Sequence, residues 1–233
     1  MIKYNTPQEL FTAICDKIRS IDNTNELINH QDIPDKIDGL VDSDIINEYN
    51  ELLSIIINQN TIIELNNNEI KNINICFVGC TSLTTVDLPK CATINGHTFR
   101  SCTRLTTVNL PECSSIGDSA FYGCTNLTTI DIPECSSIEN YAFSSCTSLT
   151  TVNLPECATI GEYAFRDCTN LTTVILSDSQ VAILKDISAF NNSSIANGTG
   201  YIYVPGNLVD SYKTATNWST YANQIKPLSE LFN

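Results

Sequence analysis

The side chains of this 233-residue chain that could do chemistry are 11 thiols, 2 imidazoles and 26 carboxylates. Nine of the cysteines (Cys80, Cys91, Cys102, Cys113, Cys124, Cys135, Cys146, Cys157 and Cys168) follow one another at an unbroken interval of eleven residues. A thiol can ligate a soft metal, form a disulfide or act as a nucleophile, and each role asks for a different arrangement. A tetrahedral metal site needs two close pairs, or a pair with histidines. Cys76-Phe-Val-Gly-Cys80 is one loose pair with no second. Disulfide frameworks join loops of unequal length and rarely keep a metre. A nucleophile needs an adjacent base, and neither His30 nor His97 stands beside a repeated nucleophile. His97 falls near positions where other units carry Asp118, Asn140 and Glu162, so it reads as a surface residue. The even interval is better explained by a repeated unit in which each thiol holds an equivalent, buried and reduced wall position. No catalytic residue, metal site or cofactor is expected, and the chain reads as non-enzymatic.

The element that positions these thiols is a repeat. Residues 102–123, CTRLTTVNLPECSSIGDSAFYG, align without a gap on 124–145, CTNLTTIDIPECSSIENYAFSS, and units 80–101 and 146–167 follow the same metre. The period is 22 residues, so the thiols form two columns: Cys80, Cys102, Cys124, Cys146, Cys168 and Cys91, Cys113, Cys135, Cys157. Leu-x-x-Val-x-Leu-x-x-Cys recurs in each unit, as at Leu83, Val86, Leu88, Cys91, which is the leucine-rich-repeat pattern. The Val86-x-Leu88 alternation is that of a strand pointing apolar side chains into the coil. One such strand cannot bury its inner face alone, so successive coils must stack, with parallel strands about 4.8 Å apart on a concave wall. Pro89, Pro111, Pro133 and Pro155 end that pairing at a fixed place. The return wall points Ile116 and Phe121 inward, and Gly117 or Gly123 permits the tight turn.

On these residues the chain resembles the BspA-like (Treponema-type) leucine-rich repeats, whose units read L-x-x-L-x-L-P, then I-G-x-x-A-F, then C. The resemblance covers about residues 75–205. It implies an α/β repeat fold, a right-handed leucine-rich-repeat solenoid of 22-residue units, with N-terminal helices and a C-terminal strand-helix cap. The pattern departs at its ends: Asn95-Gly-His-Thr98 replaces Gly-x-x-Ala, Ser177 replaces proline, and Ala189-Phe190 arrives three residues late. Degenerate end units are what a stack of coils requires.

Three regions follow: 1–60 as a helical module, 61–205 as the solenoid and 206–233 as a helical cap. Thr6-Pro7-Gln8-Glu9 reads as a capping box opening a helix with Leu10, Phe11, Ile14 and Ile18 on one face. Helices are also expected from Asp32-Ile-Pro34 and from Ser43 towards Ile57. The stretches 11–19 and 32–40 resemble a module near the start of many phage and prophage virion proteins. Tyr201-Ile-Tyr-Val-Pro205 reads as a last strand, and Asn207 as the cap of a helix over 208–215. Trp218, the sole tryptophan, is expected to cover the end of the core. Similar endings occur in repeat proteins of gut bacteria and their phages.

Charge narrows the partners. Residues 1–79 carry 13 acidic and 5 basic side chains, residues 80–167 carry 9 and 4, and the remainder 4 and 3. With no basic segment and a net charge of −14, a phosphate-tracking surface and an anionic membrane surface are both disfavoured. No apolar run reaches membrane-span length. The N-terminal residues lack a signal peptide's apolar core, so cytoplasmic synthesis is expected, with delivery on a virion or, alternatively, display on the cell surface. Strand alternation exposes Thr85, Thr107, Thr129, Thr151 and Thr173 in one column and Asp87, Asn109, Asp131 and Asn153 in the next. Glu112, Glu134 and Glu156 stand beyond the prolines. This flat, polar, partly acidic ladder, with no aromatic anchor in it, is the candidate binding face for a protein or glycan. A virion partner is expected for the N-terminal helices. The functional expectation is a tail-associated or receptor-binding component of a phage or prophage. The alternatives are a BspA-like cell-surface adhesin and a structural spacer without ligand.

Overall fold

In each repeat the middle residue of Thr-Val-Asp or Thr-Val-Asn is buried and its neighbours are not, and this alternation builds the wall of the molecule. The computed structural model describes residues 62–64, 72–73, 77–81 and 83–231. The helices expected in 1–60, with His30 and Cys15, lie outside them, as does Cys76. Eight strands form one parallel sheet: β1 (Ile62–Glu64), β3 (Thr85–Asp87), β5 (Thr107–Asn109), β7 (Thr129–Asp131), β9 (Thr151–Asn153), β11 (Thr173–Ile175), β13 (Tyr201–Val204) and β14 (Ile225–Pro227), in that order. Six two-residue strands form a second: β2 (Asn72–Ile73), β4 (Thr93–Ile94), β6 (Ser115–Ile116), β8 (Ser137–Ile138), β10 (Thr159–Ile160) and β12 (Ile183–Leu184). Thr85 pairs with Thr107 and Thr129 with Thr151, so each coil adds one strand to each sheet. This is the leucine-rich-repeat fold, a solenoid of parallel strands with few helices.

The core between the sheets is a set of columns. Phe77, Phe99, Phe121, Phe143, Phe165 and Phe190 stack face to face along the axis, with centroids 5.3 to 5.5 Å apart. Ala189-Phe190, late in the sequence, therefore still reaches its column. The nine described cysteines are all buried, and none is in a disulfide. The sulfurs of Cys102, Cys124, Cys146 and Cys168 each donate to the carbonyl of the phenylalanine one coil back, Phe77, Phe99, Phe121 and Phe143, at 3.1 Å. In the other column Cys91, Cys113, Cys135 and Cys157 donate to the carbonyl two residues on, at 3.2 to 3.4 Å. A thiol is small and apolar, yet carries a weak donor, so it fills the wall and serves a carbonyl. Burial pushes Cys113 up to about 11 and Cys124, Cys157 and Cys168 up to about 12. Such thiols hold little thiolate and are poor nucleophiles.

Hydroxyls zip the coils outside the core: Thr106, Thr150 and Thr172 donate to the carbonyls of Thr84, Thr128 and Thr150. The tight turn recurs in the left-handed region at Gly79, Ser101, Gly123, Ser145, Asp167 and Asn192. Gly123 therefore fits its place, at φ 71°. Gly117 serves otherwise: a Cβ there would lie 2.6 Å from the backbone nitrogen of Gly96, so its absence lets adjacent coils touch. Gly161 does the same, and Lys185 reaches past it to pair with Glu139 at 2.9 Å. That ammonium, with the Ser137 hydroxyl, holds the Glu139 carboxyl below its ordinary range.

At the C-terminal end side chains replace the next coil. The Trp218 indole donates to the carbonyl of Ala182, whose own N–H donates to the Tyr212 hydroxyl. Asn217 donates to the carbonyls of Leu184 and Lys185, and the Tyr221 hydroxyl to that of Ile187. Backbone groups along the β12 edge are thereby satisfied. Trp218 is fully buried at the end of the phenylalanine stack, 6.2 Å from Phe190, where the sequence places it. Two expectations are corrected. The helix α1 (Val209–Thr214) is preceded by a 3-10 turn over Gly206–Leu208, and its N-cap is Leu208, without a side-chain cap bond, not Asn207. The region 206–233 is also not purely helical, because β14 extends the sheet, and Pro227 at its end offers no donor.

Candidate binding face

The eight-stranded sheet sets the candidate residues in two straight columns. Thr85, Thr107, Thr129 and Thr151 share a face, as do Asp87, Asn109, Asp131 and Asn153, and the pairing partners connect each column. Thr107, Asn109, Thr129, Glu112, Glu134 and Glu156 are exposed, while Thr85, Asp87, Thr151 and Asn153 are half-buried. The register thus brings the sequence-derived threonine and Asp/Asn positions together on one face. Some of the ladder is satisfied internally: Asn109 donates its amide to the Asp87 carboxylate at 2.7 Å, and Lys90 pairs with Glu112. Among the described residues Glu134 and Glu156 have no ion-pair partner.

The ladder itself carries no aromatic side chain, but the sheet face continues past it. Register carries the threonine column on through Thr173 to Tyr201, and the Asp/Asn column through Ile175 to Tyr203 and Lys226. Tyr201 and Tyr203 alternate with buried Ile202 and Val204, so both lie on the face of the ladder. Their rings meet edge-on at 6.4 Å, and the Lys226 ammonium sits 4.0 Å above the Tyr201 ring while pairing with Glu230 at 3.3 Å. An apolar and aromatic end, Ile175, Tyr201 and Tyr203, therefore adjoins a polar ladder. A few buried aromatics beside a polar surround is the usual energetic anatomy of an interface. The metre hid this end, because Tyr201 follows its partner Thr173 after a longer coil than the 22 residues that separate Thr85 from Thr107.

His97 is half-buried, less open than expected, and burial, helped by the charge of Arg100, lowers its pKa against the pull of Asp118. Among the described residues no group of three or more His, Cys, Asp or Glu could hold a metal. No described helix is long and apolar enough to cross a membrane.

The model of the BspA-type leucine-rich-repeat region matches six copies over residues 69–197, more than half of the chain, and the chain belongs to this family. Among solved structures, the leucine-rich-repeat protein TpLRR of T. pallidum is 30% identical, with 58% of this chain and 71% of that one covered, at a TM-score of 0.41. A leucine-rich-repeat protein of Eubacterium ventriosum is 28% identical over 51% of this chain and 33% of its own, at a TM-score of 0.42. A leucine-rich cell surface protein of Faecalibacterium prausnitzii is 20% identical, with 59% and 58% covered and a TM-score of 0.27. The chain thus spans a third and somewhat over half of the last two. No curated protein is similar enough to count as a match.

Proposed function

We propose that the protein is a non-enzymatic binding component that presents the outward face of its eight-stranded sheet to a protein or glycan. The observation that carries this reading is the register that sets Tyr201 and Tyr203 at the end of the Thr and Asp/Asn columns. Labelled full-length chain applied to a printed array of proteins and oligosaccharides tests it. Retention by a subset of spots, lost with Tyr203→Ala and weakened by Glu134→Lys with Glu156→Lys, is expected. An array with no spot whose retention depends on these changes would end the reading.

The carrier proposed for this face is a phage or prophage particle, on the resemblance of residues 11–19 and 32–40 to virion proteins, with the N-terminal residues as helices that attach to it. The same reading takes the coil as right-handed, the sense that parallel crossovers adopt almost always. A second reading, a cell-surface adhesin, is favoured by the family itself and by the F. prausnitzii protein, whose name places it at the surface. Immunodetection on purified particles and on protease-shaved cells separates the two. A chain found in neither fraction contradicts both and leaves the spacer without ligand.

A further inference from the structure

The return wall, away from the sheet face, carries a strip of tyrosine and arginine. In each coil the N–H of one residue donates to the carbonyl three back: Arg100 to His97, Tyr122 to Ser119, Ser144 to Tyr141 and Arg166 to Tyr163, at 3.0 to 3.1 Å. Two columns therefore run side by side, His97-Ser119-Tyr141-Tyr163 and Arg100-Tyr122-Ser144-Arg166. Ser119 and Ser144 are buried, while Tyr122, Tyr141, Tyr163 and Arg100 are half-buried. The Arg100 guanidinium lies 4.8 Å over the Tyr122 ring, Tyr141 and Tyr163 stack at 4.9 Å, and Arg166 covers Tyr163 at 5.4 Å.

Two independent features set this strip apart from ordinary wall filling. The first is strain. His97, Ser119, Tyr141 and Tyr163 all have positive φ, 54° to 60°, and a bulky ring is among the least suitable occupants of that region. Ser119 shows that a small residue satisfies the fold there, yet two adjacent coils carry tyrosine. Strain kept against an available relief is a sign of function. The second is charge. In a chain of net charge −14, Arg100 has no carboxylate at ion-pair distance among the described residues. Its contacts are a ring face and, at 3.4 Å, the His97 imidazole, which burial keeps towards neutrality.

We propose that this strip binds an acidic oligosaccharide laid along the solenoid axis, a carboxylate on the Arg100 guanidinium and sugar rings against the edges and hydroxyls of Tyr122, Tyr141 and Tyr163. A planar guanidinium matches a carboxylate in two parallel hydrogen bonds. Stacked tyrosines offer electropositive edges and hydroxyls, groups that suit a ligand rich in oxygen acceptors and O–H donors. The rows repeat every coil, about 4.8 Å, a step that a chain of sugar residues can follow. A dense polyanion would be repelled by the whole molecule's field, so alternating acidic and neutral sugars fit best.

Calorimetry of the full chain with a hyaluronan octasaccharide at physiological salt tests this, with maltooctaose and octaglutamate as comparison probes. Binding to hyaluronan alone is expected. Arg100→Ala and Tyr122→Ala should each weaken it at least about tenfold, and Ile183→Ala, exposed on β12, should leave it unchanged. The double change Tyr141→Ser with Tyr163→Ser should also weaken it about tenfold while the urea midpoint stays level or rises. Absence of hyaluronan binding would overturn the proposal, as would equal binding of octaglutamate, or a double variant that loses stability and keeps affinity.

Discussion

At the residue scale, inward and outward positions in one strand differ in kind. Leu127 and Phe143 are wholly buried, and Phe143 lies between Phe121 and Phe165 at 5.3 and 5.4 Å. Leu127→Ala or Phe143→Ala should cost about 2–5 kcal/mol through the cavity left behind. Thr129→Ser, on the exposed face, should cost within about 0.5 kcal/mol. Urea unfolding measures both, and equal effects would invert the assignment. The thiols add a pH dependence. Their folded pKa values lie above the value of 9.0 expected for an unfolded thiol, at about 11 for Cys113 and about 12 for Cys124. The stability this represents is full below pH 9 and is lost as pH rises towards 11 and 12, because the unfolded chain ionises first. Each thiol ionised only when unfolded steepens the loss by about 1.4 kcal/mol per pH unit. Under reductant the urea midpoint should therefore fall between pH 8 and 10.5, and less so in Cys124→Ala with Cys168→Ala. A fall of the same size in that variant would assign the loss to other groups. Denatured protein should also give about eleven thiols to a thiol reagent without reductant, as the sequence contains, and native protein few.

At the scale of the element, the sequence shows the strands and core columns plainly, because one buried residue type recurs at one interval. It hides the two uses of glycine. Gly123 is needed for its φ of 71°, and a Cβ there meets nothing nearer than 3.6 Å, so Gly123→Ala should cost about 1 kcal/mol in backbone strain. Gly161 is needed for space, with a Cβ placed 2.6 Å from the Glu139 carbonyl carbon, so Gly161→Ala must push adjacent coils apart and should cost more. Thermal unfolding of both variants decides, and the reverse order would contradict this division. Tyr201 and Tyr203 were illegible as members of the binding face for a physical reason. A lengthened coil breaks the metre between β11 and β13, and only the hydrogen-bonded register shows which face the strand presents.

At the scale of the whole molecule, a stack of coils must be closed, and the described C-terminal end closes by side chains. Trp218→Ala opens the phenylalanine column and frees the Ala182 carbonyl together; a loss of about 3–5 kcal/mol is expected. Deleting residues 1–42 should leave the repeat's circular dichroism intact, because the matched repeats begin only at residue 69. Unfolding of that shortened chain would make the N-terminal region a component of the core. The central claim, a solenoid that binds a partner through its eight-stranded sheet, is tested most directly by hydroxyl-radical footprinting with the retained array component bound. Slower oxidation is expected at Tyr201 and Tyr203, with exposed Ile183 on the second sheet unchanged. Protection at Ile183 and Ile187 with Tyr201 and Tyr203 still reactive would place the binding surface elsewhere and contradict it.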